Sequence, residues 1–139
     1  MTPGLLDTNV FIHAHASDSW TGECRAFLSA LENGSISAML EPLVLHELSY
    51  ALPHYAKQLT RDKVAEYLLM VLSWDGVHGD KDTMVETVMR WRATSGLAFV
   101  DAYLATLARQ WGCAVFTKNV RELTAQGASV PLRLPSKQP

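Results

Sequence analysis

Apolar residues recur along this chain in two alternating patterns, short continuous runs and longer stretches with a period of three to four residues. Short runs bounded by turn-forming residues predict strands at 4–7 and 35–40, and a briefer one at GVHG, 76–79. Two later runs, CAVFT at 113–117 and VPLRL at 130–134, also predict strands. The run at 4–7 is apolar enough to predict a buried strand.

The longer stretches predict six helices, which alternate with these strands. They are SWTGECRAFLSALENG (19–34), EPLVLHELSYALPHYA (41–56), TRDKVAEYLLMVLSW (60–74), GDKDTMVETVMRWRATSG (79–96), LAFVDAYLATLARQWG (97–112) and NVRELTAQG (119–127). Strands that alternate with helices indicate an α/β fold with a mainly parallel sheet, in which sites gather at the carboxyl ends of strands.

Several residues mark the ends of these helices. The expected N-caps are Ser19 or Thr21 for the first helix, Thr60 for the third, and Asp80 or Asp82 for the fourth. Gly34 is expected to end the first helix and Gly112 the fifth. Pro42 suits the first turn of the second helix, where proline is tolerated. Pro53 is expected to bend or end its helix, because proline lacks the backbone N–H that a helix interior needs.

Length and charge limit the function classes. A chain of 139 residues fits one domain, expected at 1–134 and followed by a polar tail at 135–139. A net charge of −2 argues against a protein that binds nucleic acid non-specifically through a basic surface. The same net charge is compatible with an enzyme whose acidic site binds a phosphate group through a metal ion.

Cysteine content and hydropathy indicate a cytoplasmic protein without a membrane segment. Cys24 and Cys113 have neither a disulfide framework nor a zinc-site spacing, and they are interpreted as small core residues of a reduced protein, with a bridge between them left open. The sequence has no signal-type stretch and no apolar run long enough to span a bilayer.

Asp7 is the first candidate site residue, because it follows Leu5 and Leu6 at the end of a predicted buried strand. A buried carboxylate is costly unless it is paired or binds a metal. Thr8 and Asn9 leave a simpler alternative open, a turn that ends the strand, since both residue types form local hydrogen bonds.

Two further acids lie on apolar helix stripes. Glu47 has Leu43, Val44, Tyr50 and Ala51 three and four residues away, and Asp101 has Leu97, Ala98, Leu104 and Ala105. A partner cation for Glu47, or a capping role for Asp101, would explain either acid alone. Three inward acids without matching cations instead predict a divalent cation, and oxygen-only ligands favour magnesium or manganese.

A fourth segment, CAVFTKNVREL, repeats the layout of the first. Thr117 and Asn119 end the predicted strand, and Glu122 follows. Parallel strands that end side by side would bring Asn119 close to Asp7. Such a cluster would hold a metal that positions water and stabilises a phosphoryl transition state.

With these motifs the sequence resembles the PIN-domain ribonucleases, and among them the VapC-like toxins of toxin–antitoxin pairs. The resemblance rests on LLDTNVFI, LVLHEL, FVDAYLATLAR and VFTKNVREL, in that order along nearly the whole chain. It implies a PIN-like three-layer α/β/α sandwich with a mainly parallel central sheet. It also implies an endoribonuclease that depends on Mg²⁺, or on Mn²⁺, to cleave RNA phosphodiester bonds.

The resemblance also implies roles for individual residues. Asp7, Glu47 and Asp101 match the acids that bind the metal and activate water; Thr8 and Asn9 match groups that orient the first Asp, and Thr117 matches the strand-end hydroxyl. Asn119 departs from the pattern, because many members carry aspartate there, and Glu122 is the candidate to supply the missing charge. Asn119 and Glu122 therefore complete the candidate catalytic set.

The partners that the family implies are an RNA substrate, a cognate antitoxin protein and a second copy of the chain in a homodimer. Lys118 and Arg121 are the expected RNA contacts, with Arg90 and Arg92 as further candidates. Aromatic candidates for an exposed partner surface are Trp20, Trp74, Trp91 and the region of Tyr50 and Tyr55.

Two other functions compete with a toxin nuclease. One is a catalytically weak or inactive PIN module that binds RNA or a protein, suggested by Asn119 and the acidic balance; the other is a PIN nuclease of RNA processing. A haloacid-dehalogenase-like phosphatase is set aside, because its general acid would fall at Asn9. His13 and His15 are interpreted as surface or hydrogen-bonded histidines rather than as metal ligands.

Overall fold

A computed structural model describes residues 2–131 of the chain. They form two compact units, which divide between Val85 and Glu86. Each unit has its own secondary structure and its own buried side chains.

The first unit contains a three-stranded parallel sheet, whose strands lie in the order of the sequence. Its elements are β1 (Gly4–Leu5), α1 (Thr8–His15), α2 (Thr21–Glu32), β2 (Ala38–Met39), α3 (Pro42–Tyr55), α4 (Arg61–Leu72) and β3 (Val77–His78). Helix α5 (Lys81–Ala93) begins in this unit and ends in the next. The three strands predicted here are confirmed in position but are shorter than the apolar runs that indicated them.

Pairing in this sheet depends on one close approach of backbones. The Ala38 N–H donates to Gly76 O over 2.8 Å, which extends the pairing of β2 with β3. A Cβ atom at Gly76 would lie 2.2 Å from Ile36 O, so no other residue fits there without moving the chain. The glycine before β3 is therefore a requirement of the sheet.

Local signals predicted most helix ends in this unit correctly. The Thr60 hydroxyl accepts a hydrogen bond from Lys63 N at the start of α4, and Asp80 accepts one from Thr83 N at the start of α5. The expected cap of α2 is wrong, because Trp20 is its N-cap and makes no side-chain capping bond. Pro53 does not end α3, which continues to Tyr55.

The core of the first unit is made mainly of leucine and valine side chains, with Phe11, from its helices and from residues in or next to its strands. Those with at most 3% of their surface exposed include Leu6, Phe11, Leu31, Leu40, Leu45, Leu48, Leu52, Val64, Leu68, Val71, Leu72 and Val77. Burial of each large apolar side chain contributes about 1.5–3 kcal/mol relative to exposure. β1 lies outside this core, because Gly4 and Leu5 are both exposed, so the prediction of a buried first strand is wrong.

The second unit contains the end of α5 and the helices α6 (Phe99–Trp111) and α7 (Val120–Ala125). Gly112 ends α6 as predicted, in the left-handed region with φ 63° that glycine adopts without strain. A small cluster of Ala105, Ala108, Val115 and Leu123 packs between α6, α7 and the segment that joins them.

The segment CAVFT is not a strand, contrary to the prediction. The Val115 N–H donates to Ser129 O over 2.9 Å, but a strand needs a repeated ladder of such bonds, and none is assigned between 113 and 131. Val130 and Pro131 are in no strand either, and the rest of the predicted VPLRL strand lies outside the described residues, as does the tail at 135–139.

No helix in the described part of the chain is long and apolar enough to cross a membrane.

Candidate functional site

Asp101, Asn119 and Thr117 form a hydrogen-bonded group in the second unit. Asn119 Nδ2 donates to Asp101 Oδ2 over 3.1 Å, and the backbone N–H of Asn119 donates to Thr117 Oγ1 over 3.0 Å. All three side chains are half-buried. The structure thus brings together one of the predicted acids, the predicted amide and the predicted hydroxyl.

Helix positions explain why these groups meet. Asp101 lies in the first turn of α6, and Asn119 directly precedes α7. Leu123 is fully buried one turn into α7 and packs in the same cluster as Ala105 and Ala108 of α6. This apolar contact holds the two helices together, and the hydrogen bond from Asn119 joins their N-terminal ends.

Helix α7 carries Arg121 and Glu122 on its exposed side, and Lys118 lies just before the helix. All three are exposed, and together with Val120, Thr124 and Ala125 they line a depression of 680 Å³. Of these groups, the cations of Lys118 and Arg121 are able to contact phosphate, whereas the carboxylate of Glu122 is not.

Asp7 has a role that the sequence analysis did not predict. It is the N-cap of α1, and its Oδ1 accepts a hydrogen bond from the backbone N–H of Thr8 over 2.8 Å. Asp7 and Asn9 are exposed, and Thr8 is buried. The expectation of a buried carboxylate is therefore wrong, because the apolar residues around Asp7 belong to an exposed strand and to a helix that begins immediately after it.

Glu47 is also exposed rather than directed into the core. Leu43 and Tyr50, its neighbours on the helix, are 78% and 54% exposed, whereas the residues of α3 that are buried are Leu45, Leu48, Ser49 and Leu52. Helix α3 is apolar on more than one face, so the stripe that contains Glu47 could not be distinguished from the core stripe by spacing alone. The inward orientation predicted for Glu47 is therefore wrong.

The chemistry of the candidate residues fits a hard divalent cation, because Asp7, Glu47, Asp101 and Asn119 all present oxygen atoms. Among residues 2–131, no group of three or more His, Cys, Asp or Glu side chains is placed so that it could hold a metal ion. Among the predicted catalytic residues, a hydrogen bond joins Asn119 to Asp101.

Arg90, a candidate RNA contact, is already engaged within the protein. It binds Glu86 and donates to Gln126 O over 2.8 Å, and Arg109 binds the same Glu86 carboxylate over 2.6 Å. Hydrogen bonds from Arg109 and then from Arg90 hold the pKa of Glu86 below its usual range. Sequence reasoning missed this network, although the i, i+4 spacing of Glu86 and Arg90 was a visible signal.

The two histidines of α1 make the hydrogen bonds expected of non-ligand residues. His13 Nδ1 lies 2.7 Å from Asp18 Oδ2, and His15 Nε2 lies 2.9 Å from the Tyr67 hydroxyl.

Both cysteines are free thiols. Cys24 is half-buried and Cys113 is exposed, so the expected core position of Cys113 is wrong.

Exposure divides the aromatic candidates for a partner surface. Trp20, Tyr50 and Tyr55 are more than half exposed, as expected, whereas Trp74 and Trp91 are buried and cannot take part. Three exposed aromatic residues were missed: Trp111 and Phe116, each 69% exposed, and Phe27, which is 39% exposed.

Comparison with known proteins identifies the family. The sequence model of the PIN domain matches residues 4–125. No curated protein and no solved structure matches the chain. The match confirms the predicted α/β fold with its parallel sheet, and PIN domains are generally nucleases. Because the match extends over well more than half of the sequence, this chain belongs to the PIN domain family.

Proposed function

We propose that this protein is a metal-dependent endoribonuclease that cleaves phosphodiester bonds in RNA. The observation that carries the proposal is the hydrogen bond from Asn119 to Asp101, in a chain that belongs to a family of nuclease domains. An acid oriented by a fixed amide beside exposed cations suits a reaction on a phosphate group.

The proposed site residues have different tasks. Asp101, Asp7 and Glu47 would hold Mg²⁺ or Mn²⁺, which when bound supplies charge stabilisation and a more acidic water. Asn119 orients Asp101, and Thr117 fixes the backbone of Asn119. Thr8 and Asn9 support Asp7, and Glu122 remains the candidate for an additional negative charge. Lys118 and Arg121 would contact the RNA backbone.

We further propose that the biological role is that of a toxin in a toxin–antitoxin pair, acting in the cytoplasm. The resemblance to VapC-like toxins supports this role, and it implies a cognate antitoxin and a homodimer. We propose that residues 1–134 act as one nuclease domain, which the family match to residues 4–125 supports. A PIN nuclease of RNA processing shares the same chemistry.

One observation favours a second function, a PIN module that binds RNA or a protein with little or no cleavage. The described residues contain no preformed group of metal-binding acids, and Asn119 adds no charge to Asp101. Three acids in the family's positions argue for the nuclease instead.

The deciding experiment measures cleavage of a pool of structured RNAs by the purified protein with Mg²⁺, with Mn²⁺ and with EDTA. The Asp101→Asn variant serves as the inactive control, because it replaces one carboxylate oxygen and keeps the size of the side chain. We expect cleavage that requires a metal and is lost in the variant, while the variant keeps the wild-type fold, since the asparagine oxygen can still accept the hydrogen bond from Asn119.

Three results would each contradict part of the proposal. Folded wild-type protein that binds the RNA pool without cleaving it, in either metal, would support the binding module. Cleavage that survives in Asp101→Asn would remove Asp101 from the site. Loss of folding in Asp101→Asn would assign the acid a structural role.

A further inference from the structure

We infer that Arg90 is a positioning residue for the candidate site, because it holds one end of α7 and thereby sets where Asn119, at the other end, meets Asp101. The inference rests on the proposed function in taking Asp101 and Asn119 as site residues. It assigns to Arg90 a role different from the RNA contact that its sequence position suggested.

Arg90 uses its guanidinium group in two directions. Its Nη1 donates to Gln126 O over 2.8 Å and lies 3.3 Å from Gln126 Oε1. Its Nε and Nη2 each lie 3.1 Å from Glu86 Oε2, one turn earlier on α5. The side chain is 20% exposed, so these bonds are partly shielded from water. Glu86 thus fixes the orientation from which Arg90 reaches Gln126.

Gln126 is the residue at which α7 ends. Its backbone N–H donates to Glu122 O and Leu123 O, and its side-chain Nε2 donates to Thr94 Oγ1 over 3.0 Å. The carbonyl that Arg90 binds therefore belongs to the C-cap of α7. Because Thr94 lies directly beyond the end of α5, both bonds tie α7 to that helix.

Helix α7 is too short to determine its own position. Its 6 residues span about 9 Å, and helices of this length do not form in isolation. In the described part of the chain four interactions hold it: the Asn119–Asp101 bond at its start, buried Leu123 in its middle, and the bonds of Gln126 to Arg90 and to Thr94 at its end. Without the Arg90 bond the end is held by the Gln126–Thr94 bond alone, and we expect the helix to pivot about Leu123, which displaces Asn119 from Asp101.

Arg109 provides a matched control within the same network. It binds the same Glu86 carboxylate through Nε and Nη2, with its shortest hydrogen bond at 2.6 Å, but its hydrogen bonds in the described part of the chain go to Glu86 alone. A variant of Arg109 therefore removes an arginine from Glu86 and leaves the hydrogen bonds to α7 in place.

The experiment compares Arg90→Gln and Arg90→Lys with Arg109→Gln and Arg109→Lys in the full chain. Lysine retains the charge, but a single ammonium group cannot reproduce a planar guanidinium that binds Glu86 and Gln126 together. The first measurement is the NMR signal of the Asn119 side-chain amide, assigned by its disappearance in Asn119→Ala. This signal reports the bond to Asp101 whether or not the protein cleaves RNA.

We expect both Arg90 variants to shift the Asn119 amide signal, whereas both Arg109 variants leave it unchanged. In the cleavage assay we expect kcat to fall about tenfold to a hundredfold in the Arg90 variants with little change in KM, because a small misplacement of a catalytic group acts on the chemical step. The Arg109 variants are expected to stay within about twofold of the wild type.

An unchanged Asn119 signal in folded Arg90→Gln, or an equal shift in the Arg109 variants, would overturn the inference. If Arg90→Gln does not fold, Arg90→Lys decides by the same signal. Wild-type protein without cleavage would refute the proposed function, while the amide signal would still decide whether Arg90 positions Asn119.

Discussion

Asp7 combines two possible tasks in one side chain, the cap of a helix and a candidate metal ligand. Its Oδ1 accepts the hydrogen bond from Thr8 N at the start of α1. We expect Asp7→Ala to lower the free energy of unfolding by about 0.5–1 kcal/mol, because alanine cannot cap. Asp7→Asn should remain close to the wild type, since asparagine caps equally well. Urea denaturation of the three proteins measures the difference.

The same pair of variants separates the two tasks of Asp7. Under the proposed function both variants lose RNA cleavage, although only one loses stability. Full cleavage by Asp7→Asn would leave Asp7 with the capping role alone.

At the residue level the sequence predicted identities better than environments. Asp101 was chosen from its position on an apolar helix stripe, and Asn119 and Thr117 from the end of a predicted strand. The three do form one hydrogen-bonded group. The exposure of Glu47 and Cys113 was not predicted, because the solvent exposure of a single side chain depends on which elements pack over it.

At the level of elements, the contact between α1 and α4 contains a group that responds to pH. His15 Nε2 bonds to the Tyr67 hydroxyl, and the two rings pack edge to face with centroids 5.2 Å apart. Burial, and then the charge of Arg25, lowers the pKa of His15, while burial raises the pKa of Tyr67 to about 12. His15 therefore stays neutral to a lower pH in the folded protein than in the unfolded chain.

The direction of the pH effect follows from this lowered pKa. Below the ordinary histidine pKa of 6.5, the unfolded chain takes up a proton at His15 that the folded chain resists. The contribution of His15 to stability is thus complete above 6.5 and is lost as the pH falls toward the lowered value.

We expect the urea midpoint of the wild type to decrease as the pH is lowered from about 7.5 to about 5.5. The midpoint of His15→Gln should decrease less over the same range, because glutamine does not titrate. His54→Gln, which changes an exposed histidine of α3, is the matched control. Equal pH dependence in the wild type and His15→Gln would show that His15 does not contribute.

Element boundaries were predictable where a local signal defines them. Thr60 caps the start of α4 and Gly112 caps the end of α6, as predicted. A capping hydroxyl and a left-handed glycine both act on backbone groups within a few residues. The prediction of a strand at CAVFT was wrong because a strand requires hydrogen bonds to a distant segment of the chain. An apolar run does not indicate whether such a partner segment lies beside it.

For the whole molecule, a net charge of −2 means that the protein as a whole repels RNA. Binding must then depend on local cations, and Lys118 and Arg121 are both exposed beside α7. In the Asp101→Asn background, we expect a Lys118→Gln, Arg121→Gln double variant to bind RNA more weakly. A plot of the logarithm of the binding constant against the logarithm of the salt concentration has a negative slope. For the double variant, the magnitude of this slope should be smaller by about one for each phosphate that the variant no longer neutralises.

A charge-matched control comes from the first unit. The double variant Lys57→Gln, Lys63→Gln changes the net charge equally, and both lysines are exposed. Filter binding or fluorescence anisotropy over a salt series compares the two. An equal loss of affinity in both double variants would mean that net charge, and not the surface beside α7, determines RNA binding.

The sequence by itself determined the α/β class, the order of the elements from α2 to α6, most helix ends and the residues of the family motifs, because periodicity, capping and motif order depend on residues that are near one another in the chain. Only the tertiary structure decided which face of α3 is buried, that Asp7 caps a helix, that Asn119 donates to Asp101 and that Arg90 holds the end of α7. Each of these depends on the directions in which side chains point once helices pack, and residues such as Arg90 and Gln126, separated by 36 positions, have no local signal that pairs them.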